Sequence, residues 1–409
     1  MTIIGIKKYI SPMYLLCLTG VYPSLYIANR IAEHRRSGLE VDIFRLHRKH
    51  TWAFQLAKVM AFSRAARRFD TRVLNHRAAE NLGVSVHPLP VTLGLRDYCM
   101  TGASLDSMAR QISRAIDIGH YDLLHVHWAY PEGAIGARIA EEHGIPFILT
   151  LHGSDIHTQP RSDPHIQHET LYALHSADRA IFVSRALLDS ARELGYDGRN
   201  AVVIPNGVNT ALFRPLPLDE VTRITGIRPA GGPVVGFIGT LAPVKRADAL
   251  PSIFEHVARK VPATRFVVLG TGPLKDSIES QTRDLGLDVI YPGVFSQDRI
   301  PYWMNLMDVL ILPSRNEGYG LVIIEAHACG IPVVGSDRGG IPEALGDGGL
   351  VVQDGDDFEA RFADAVITAL RTGWSRQSLR ESTDKLVWSA IARREREVYQ
   401  EVLAVHRNG

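Results

Sequence analysis

Ser314-Arg315-Asn316-Glu317-Gly318-Tyr319-Gly320-Leu321-Val322-Ile323-Ile324-Glu325 decides the reading of this chain. The apolar run Val309–Leu312 before it predicts a buried strand that ends in a polar loop. A Gly-x-Gly turn then leads into a helix that is apolar nearly all round as far as Ala328, with Gly330 where a helix C′ glycine belongs. A helix this apolar belongs in the interior. Yet Glu325 lies inside it, about two turns from Glu317. An unpaired buried carboxylate is very costly, so Glu325 is expected to face a polar cleft. Gly318 and Gly320 allow backbone to approach a ligand closely, and the helix N-terminus behind them suits an anion. The pattern describes a phosphate-and-hydroxyl site. A plain loop with an ion-paired glutamate would look the same, since Gly-rich strand–loop–helix joins are common.

Outward from this stretch, short apolar runs alternate with helical periods, the mark of βαβ units and parallel sheets. In the first half the expected strands are Tyr14–Thr19, Val41–Arg45, Leu123–His127, Phe147–Leu151, Ala180–Val183 and Ala201–Ile204. Pro205-Asn206-Gly207-Val208-Asn209 and Pro215-Leu216-Pro217 then punctuate a junction. Strands resume at Val234–Ile238, Arg265–Leu269, Val289–Tyr291, Val309–Leu312, Pro332–Val334 and Leu350–Val352. The fold class is α/β, as two Rossmann-like, doubly wound parallel-sheet domains. The first is expected over 1–206 and the second over 207–385, with a charged helix in 386–409 packing back on the first. In such folds ligands bind outside the carboxyl ends of the strands, which makes the cleft between the halves the expected site.

The bulk numbers exclude several classes. The 409 residues are 45% hydrophobic and 22% charged, as in a globular protein, and the net charge of +1 gives no field for nucleic acid. The three cysteines, Cys17, Cys99 and Cys329, are far apart, without metal or disulfide spacing, which fits a reducing, cytoplasmic compartment. No apolar run reaches the ~18 residues of a membrane span. Lys7 and Lys8 before an apolar stretch faintly suggest a signal peptide, but no small-residue cleavage site follows, and Tyr14–Thr19 reads as a first strand.

Taken in order, further motifs resemble those of the retaining glycosyltransferases of family 4, which have the GT-B fold. Glu317 and Glu325 match that family's E-x7-E motif. Val203-Ile204-Pro205-Asn206-Gly207-Val208-Asn209 with Phe213 and Pro215 resembles its interdomain signature. Val235-Gly236-Phe237-Ile238-Gly239-Thr240-Leu241 with Lys245 resembles its pyrophosphate loop, and Val268-Leu269-Gly270-Thr271-Gly272-Pro273-Leu274 its nucleoside-facing loop. Gly339-Gly340-Ile341-Pro342-Glu343 matches its G-G-x-P-E. The segments His125–Gly133 and Leu151–Asp155 are similar to transferases of bacterial cell-surface polysaccharide synthesis. The likeness covers residues 120–405 well and the first hundred poorly.

The resemblance implies a metal-independent transfer of a sugar from a nucleotide-diphosphate donor to a hydroxyl of a glycan or lipid-linked glycan. No cofactor is implied. A leaving diphosphate gains charge that the protein must stabilise. Lys245 is the candidate cation, although a surface lysine would look alike. The family places an arginine where Thr240 stands, and Arg246 or Arg338 could replace it. Glu317 is expected to face the donor sugar and Glu325 the ribose hydroxyls, since a carboxylate accepts two hydroxyl hydrogen bonds. Gly318, Tyr319, Gly320, Leu321, Thr240 and Gly272 complete the donor side. His152, at a strand's carboxyl end, is expected beside the transferred sugar; a locally bonded loop histidine, with Ser154 and Asp155 as helix caps, is the plainer reading. Tyr22, Ser24 and Asp155 are expected on the acceptor side, where the loop Gly20–Leu25 lacks the Gly-Gly of many members.

Three rival readings remain. His125, His127, His152 and His157 tempt a zinc reading, but their spacing matches no known ligand pattern. A nicotinamide dehydrogenase would need a third glycine after Gly270-Thr271-Gly272 and an acid about 20 residues on. A sugar-nucleotide-binding protein of the same fold without transferase activity, epimerase-like or a non-catalytic partner, is the alternative. Residues 45–77 hold nine Lys or Arg against one acid, interleaved with Trp52, Phe54, Phe62 and Phe69. That composition suits either reversible contact with the inner membrane face or a solvated basic surface.

Overall fold

The computed structural model of the chain describes residues 13–19, 25–50, 85–93, 100–227 and 231–408. Two parallel sheets carry the architecture. The first contains β1 (Tyr14–Thr19), β2 (Glu40–His50), β3 (Val86–Leu93), β4 (Leu123–His127), β5 (Phe147–Leu151), β6 (Arg179–Phe182) and β7 (Ala201–Val203). Its spatial order is β3-β2-β1-β4-β5-β6-β7. The second contains β8 (Val234–Ile238), β9 (Arg265–Leu269), β10 (Val289–Gly293), β11 (Val309–Leu312), β12 (Val333–Ser336) and β13 (Gly349–Val352), in the order β10-β9-β8-β11-β12-β13. Both orders reverse direction beside their first strand, between β1 and β4 and between β8 and β11. These switch points are where doubly wound sheets open a crevice for ligands.

Strands β5, β8 and β11 are almost wholly apolar because helices cover both sheet faces. Every residue of β4, β5, β11 and β12 is buried. The edge strand β3 was not expected. Pro88 and Pro90 cannot donate to a ladder and argue against a strand in sequence, but β3 pairs on one side only, with Ile43–His50 of β2.

Four helices position the site. Helix α1 (Leu25–Arg36) follows β1, α2 (Arg185–Glu193) follows β6, and α3 (Leu321–Ala328) follows β11. The last, α4 (Trp388–Asn408), returns from the second half to pack on α1 in the first, sharing a core of Ile27, Ile31, Ile391, Tyr399 and Val402. Beneath it Arg30 and Glu395, both fully buried, pair at 2.8 Å, and His34 reaches the other carboxylate oxygen at 2.9 Å. Burial alone would raise the Glu395 pKa; the Arg30 guanidinium and His34 hold it at about 2.

Among the described residues no helix is long and apolar enough to cross a membrane. Residues 51–77, most of the basic stretch, lie outside the described residues, as do Tyr22 and Ser24.

Candidate active site

The stretch 314–325 folds as its sequence demands. Ser314, fully buried after β11, donates to a Glu317 carboxylate oxygen at 2.9 Å, and its own carbonyl accepts from Ser336 Oγ at 2.6 Å. The loop then turns at Gly320, whose φ of +92° suits glycine, and α3 begins at Leu321. Lys245, in the loop after β8, places its ammonium against the same Glu317 oxygen. This cation–carboxylate pair sits one turn before the N-terminus of α3, where orphan N–H groups favour negative charge.

Gly318 is required for a different reason. A Cβ there would lie 1.9 Å from the His152 carbonyl oxygen, and one at Gly153 would lie 3.1 Å from Gly318 Cα. The two halves thus meet backbone to backbone. Ser184 ties the same junction: its hydroxyl donates to the Gly318 carbonyl at 2.7 Å while it caps α2 by accepting from Leu187 N–H at 3.1 Å. Glu343, exposed, accepts from the backbone N–H groups of Arg185 and Ala186, each at 2.8 Å, so an acid of the second half caps a helix of the first.

Three connected cavities follow. One of about 230 Å³ is lined by His152, Lys245, Glu317, Gly318, Tyr319, Gly320, Leu321, Val322, Tyr26, Asn206 and Ile238. A second, of about 330 Å³, shares Tyr26, Ile238, Leu321 and Val322 and adds Glu325, Gln297, Asn29 and Asn209. A third, of about 230 Å³, shares Ile238 and is walled by Gly239, Thr240, Leu269, Gly270, Thr271, Gly293, Val294, Phe295 and Ile300. Glu325 therefore faces a cleft, as expected. Burial pushes its carboxyl up to about 7 despite a 3.3 Å hydrogen bond from Gln297. Gly272 leaves no room for a side chain, since a Cβ would lie 2.3 Å from the Leu241 carbonyl oxygen.

His152 is held from several sides. Its Nε2 lies 3.0 Å from His127 Nδ1, and the rings of Tyr26 and Trp128 lie 4.7 and 5.0 Å away. Burial, followed by the charge of Arg30, lowers its pKa well below the usual histidine value, so the ring is neutral. Its Nδ1 is buried without a hydrogen-bond partner among the described residues. Asp155 does not present its carboxylate to the acceptor side. It is fully buried and accepts from the N–H groups of His152 (3.1 Å) and Gly153 (2.7 Å), shaping the loop; burial lifts its pKa to about 6 against those bonds.

Neither Arg246 nor Arg338 lines these cavities. Both pair with Asp354 at 2.7 Å, and Arg246 also lies 3.8 Å over the Phe358 ring. Among the described residues no group of three or more His, Cys, Asp or Glu is placed to hold a metal. Sequence reasoning missed Ser184, whose only local signal is its place before a helix, and the roles of Tyr26, Trp128 and Gln297.

Comparison with known proteins agrees with this geometry. The family model described as "Glycosyltransferase Family 4" matches residues 24–212, and that described as "Glycosyl transferases group 1" matches 232–372. The chain is 27% identical over 315 residues to the N-acetyl-alpha-D-glucosaminyl L-malate synthase of Bacillus anthracis, covering 74% of this chain and 81% of that one. Its fold is similar to that of sucrose-phosphate synthase from Thermosynechococcus elongatus (TM-score 0.73, 20% identity, 96% and 100% of the two chains). It is similar also to Anabaena Alr3699/HepE in complex with UDP-glucose (TM-score 0.72, 20% identity, 95% and 100%). Two parallel α/β sheets, their cleft and both family matches place this chain among the family 4 glycosyltransferases of GT-B fold.

Proposed function

We propose that the chain transfers a sugar from a nucleotide-diphosphate donor to a hydroxyl of a glycan or lipid-linked glycan, retaining the anomeric configuration and using no metal ion. The carrying observation is the Lys245–Glu317 pair before the N-terminus of α3, between His152 on one side and the Glu325 cavity on the other. The glycine-walled cavity is shaped for a flat base that packs against backbone. Glu325 stands one cavity further on, where ribose hydroxyls would donate to it. The diphosphate then reaches Lys245 and the N–H groups of α3, which stabilise charge growing on the leaving group. That route leaves the transferred sugar between Glu317 and His152. Among the described residues no side chain is placed as an evident nucleophile, which favours attack by the acceptor on the face the diphosphate leaves, through an oxocarbenium-like state. UDP-glucose, bound by the Anabaena neighbour, is the first donor to try. The motif likeness to cell-surface polysaccharide transferases suggests a cytoplasmic acceptor, carried on lipid at the inner membrane face.

The test is a panel of nucleotide sugars, screened by thermal shift and then by release of nucleoside diphosphate, with the product anomer read by NMR. Transfer with retention supports the reading. Binding without turnover on any acceptor, or an inverted product, refutes it.

A further inference from the structure

The cluster of imidazoles behind His152 is not used by the reading above. Alternation along β4 puts His125 and His127 on one face of the strand. Their rings lie 4.5 Å apart, and His127 stacks on His152 at 5.2 Å and 30°. His125 is itself anchored, with Nδ1 2.8 Å from Tyr399 OH and Nε2 2.7 Å from Thr150 Oγ1. The column thus runs from α4 to the cavity, and it is buried throughout except at its His152 end.

We propose that His127 is a positioning residue: through its Nδ1···Nε2 contact it holds His152 in one ring orientation and one neutral tautomer, leaving Nδ1 of His152 as the atom offered to the ligand. In a hydrogen bond between two neutral imidazoles one nitrogen donates and the other accepts, so the two tautomers are complementary and cannot change independently. Burial, the neighbouring imidazoles and the Arg30 guanidinium all work against a proton on His127, which keeps the pair neutral. Every other handle on His152 is taken. Asp155 holds its backbone N–H, Tyr26 and Trp128 bracket its ring, and His127 holds Nε2. The remaining polar atom is the buried, unpartnered Nδ1, on a residue that lines the Lys245–Glu317 cavity. A buried polar atom without a partner calls for one, and the oxygen-rich donor proposed for this cavity supplies it. The ligand side of the inference rests on that proposed function; the lock itself does not.

Two variants and one spectrum test it. His127→Phe keeps a ring in the stack but removes the nitrogen; His127→Asn keeps an amide group at the position of Nδ1. With UDP-glucose or whichever donor the panel identifies, His127→Phe is expected to lower kcat by about tenfold to a hundredfold, as misplacement of a reacting group does, with donor KM changed by less than about threefold. His127→Asn is expected to recover about tenfold of that loss. Independently of turnover, 15N-histidine spectra of the wild-type protein, with His152 assigned by its absence in His152→Gln, should show one protonated and one bare ring nitrogen. In His127→Phe the two should average. A His127→Phe protein with wild-type kcat overturns the proposal, as does a His127→Asn protein no better than His127→Phe, or averaged His152 nitrogens in the wild type. If His127→Phe does not fold, the wild-type spectrum still decides. If no donor is turned over, the function reading fails and the spectrum alone judges the lock.

Discussion

Glu325→Gln removes a charge and little else, so it isolates what the carboxylate of α3 does. With its pKa raised to about 7 by burial, about nine in ten Glu325 side chains are ionised at pH 8 and about one in ten at pH 6. An ionised acceptor hydrogen-bonds a hydroxyl by ~1.5–3 kcal/mol and a neutral one by ~0.5–1.5, a difference worth about tenfold in affinity. Weighting by the ionised fractions, the wild-type protein should bind a nucleotide sugar about ninefold more tightly than Glu325→Gln at pH 8 and only about twofold more tightly at pH 6. A nucleotide sugar is the right probe, because its phosphate diesters keep constant charge over this range. Calorimetric titration at the two pH values reads the effect.

Stability should move the other way. The folded pKa lies above the unfolded 4.5. The protonated form therefore contributes stability that is complete below pH 4.5 and lost as pH rises through about 7. The bound on that loss is about 3 kcal/mol. Because Glu325 lines a cavity open to water, about 1 kcal/mol is the realistic share. Glu325→Gln should thus raise the melting temperature at pH 8 and leave it unchanged at pH 4. A mutant that binds the nucleotide sugar as well as wild type at both pH values refutes the ribose assignment, whatever its melting temperature.

Three further outcomes are expected. Turnover should survive EDTA, because Lys245 and the start of α3 supply the positive field; a loss that magnesium or manganese restores would contradict this. Glu343→Gln should lower stability only modestly, since an exposed anion at a helix N-terminus is worth ~0.3–1 kcal/mol. The check is urea unfolding, and an unchanged midpoint would show the cap to be incidental. Glu395→Gln should cost ~3–5 kcal/mol in urea unfolding by leaving Arg30 buried and unpaired, and Arg30→Met added to Glu395→Leu should restore most of it; a loss under about 1 kcal/mol would mean that water reaches the pair.

Both sheets were legible because several of their interior strands, such as β5, β8 and β11, are short and almost wholly apolar runs that belong under helices on both faces. The edge strand β3 was not, because Pro88 and Pro90 are forbidden only where a neighbour needs their N–H, and an edge has one neighbour. The same division runs through the site. Lys245, His152 and Glu317, in loops that follow strands, were legible as neighbours in one cleft, where doubly wound sheets display such loops. Asp155 was misplaced. In sequence an acid after His-Gly-Ser reads equally as a ligand group or a loop cap, and only the N–H groups of His152 and Gly153 converging on its carboxylate decide between them.

The return of the last helix onto the first half was expected, but the side-chain contacts that join the halves stayed hidden. Ser184 and Gly318 are 134 positions apart, Arg185 and Glu343 158, and Arg30 and Glu395 365. None carries a periodicity that points at its partner. Within one half, burial forces a residue's face through a repeat of 2.0 or 3.6. Across a cleft no repeat operates, and a contact needs only that two loops arrive together. Gly153 and Gly318 are the residue-level trace of that meeting. Each looks like an ordinary loop glycine in sequence, and each is demanded by the other's backbone. The parts of a GT-B transferase can therefore be read from the chain one half at a time, whereas the packing that brings His152 and Glu317 to one cavity is a property of surfaces that only the folded molecule possesses.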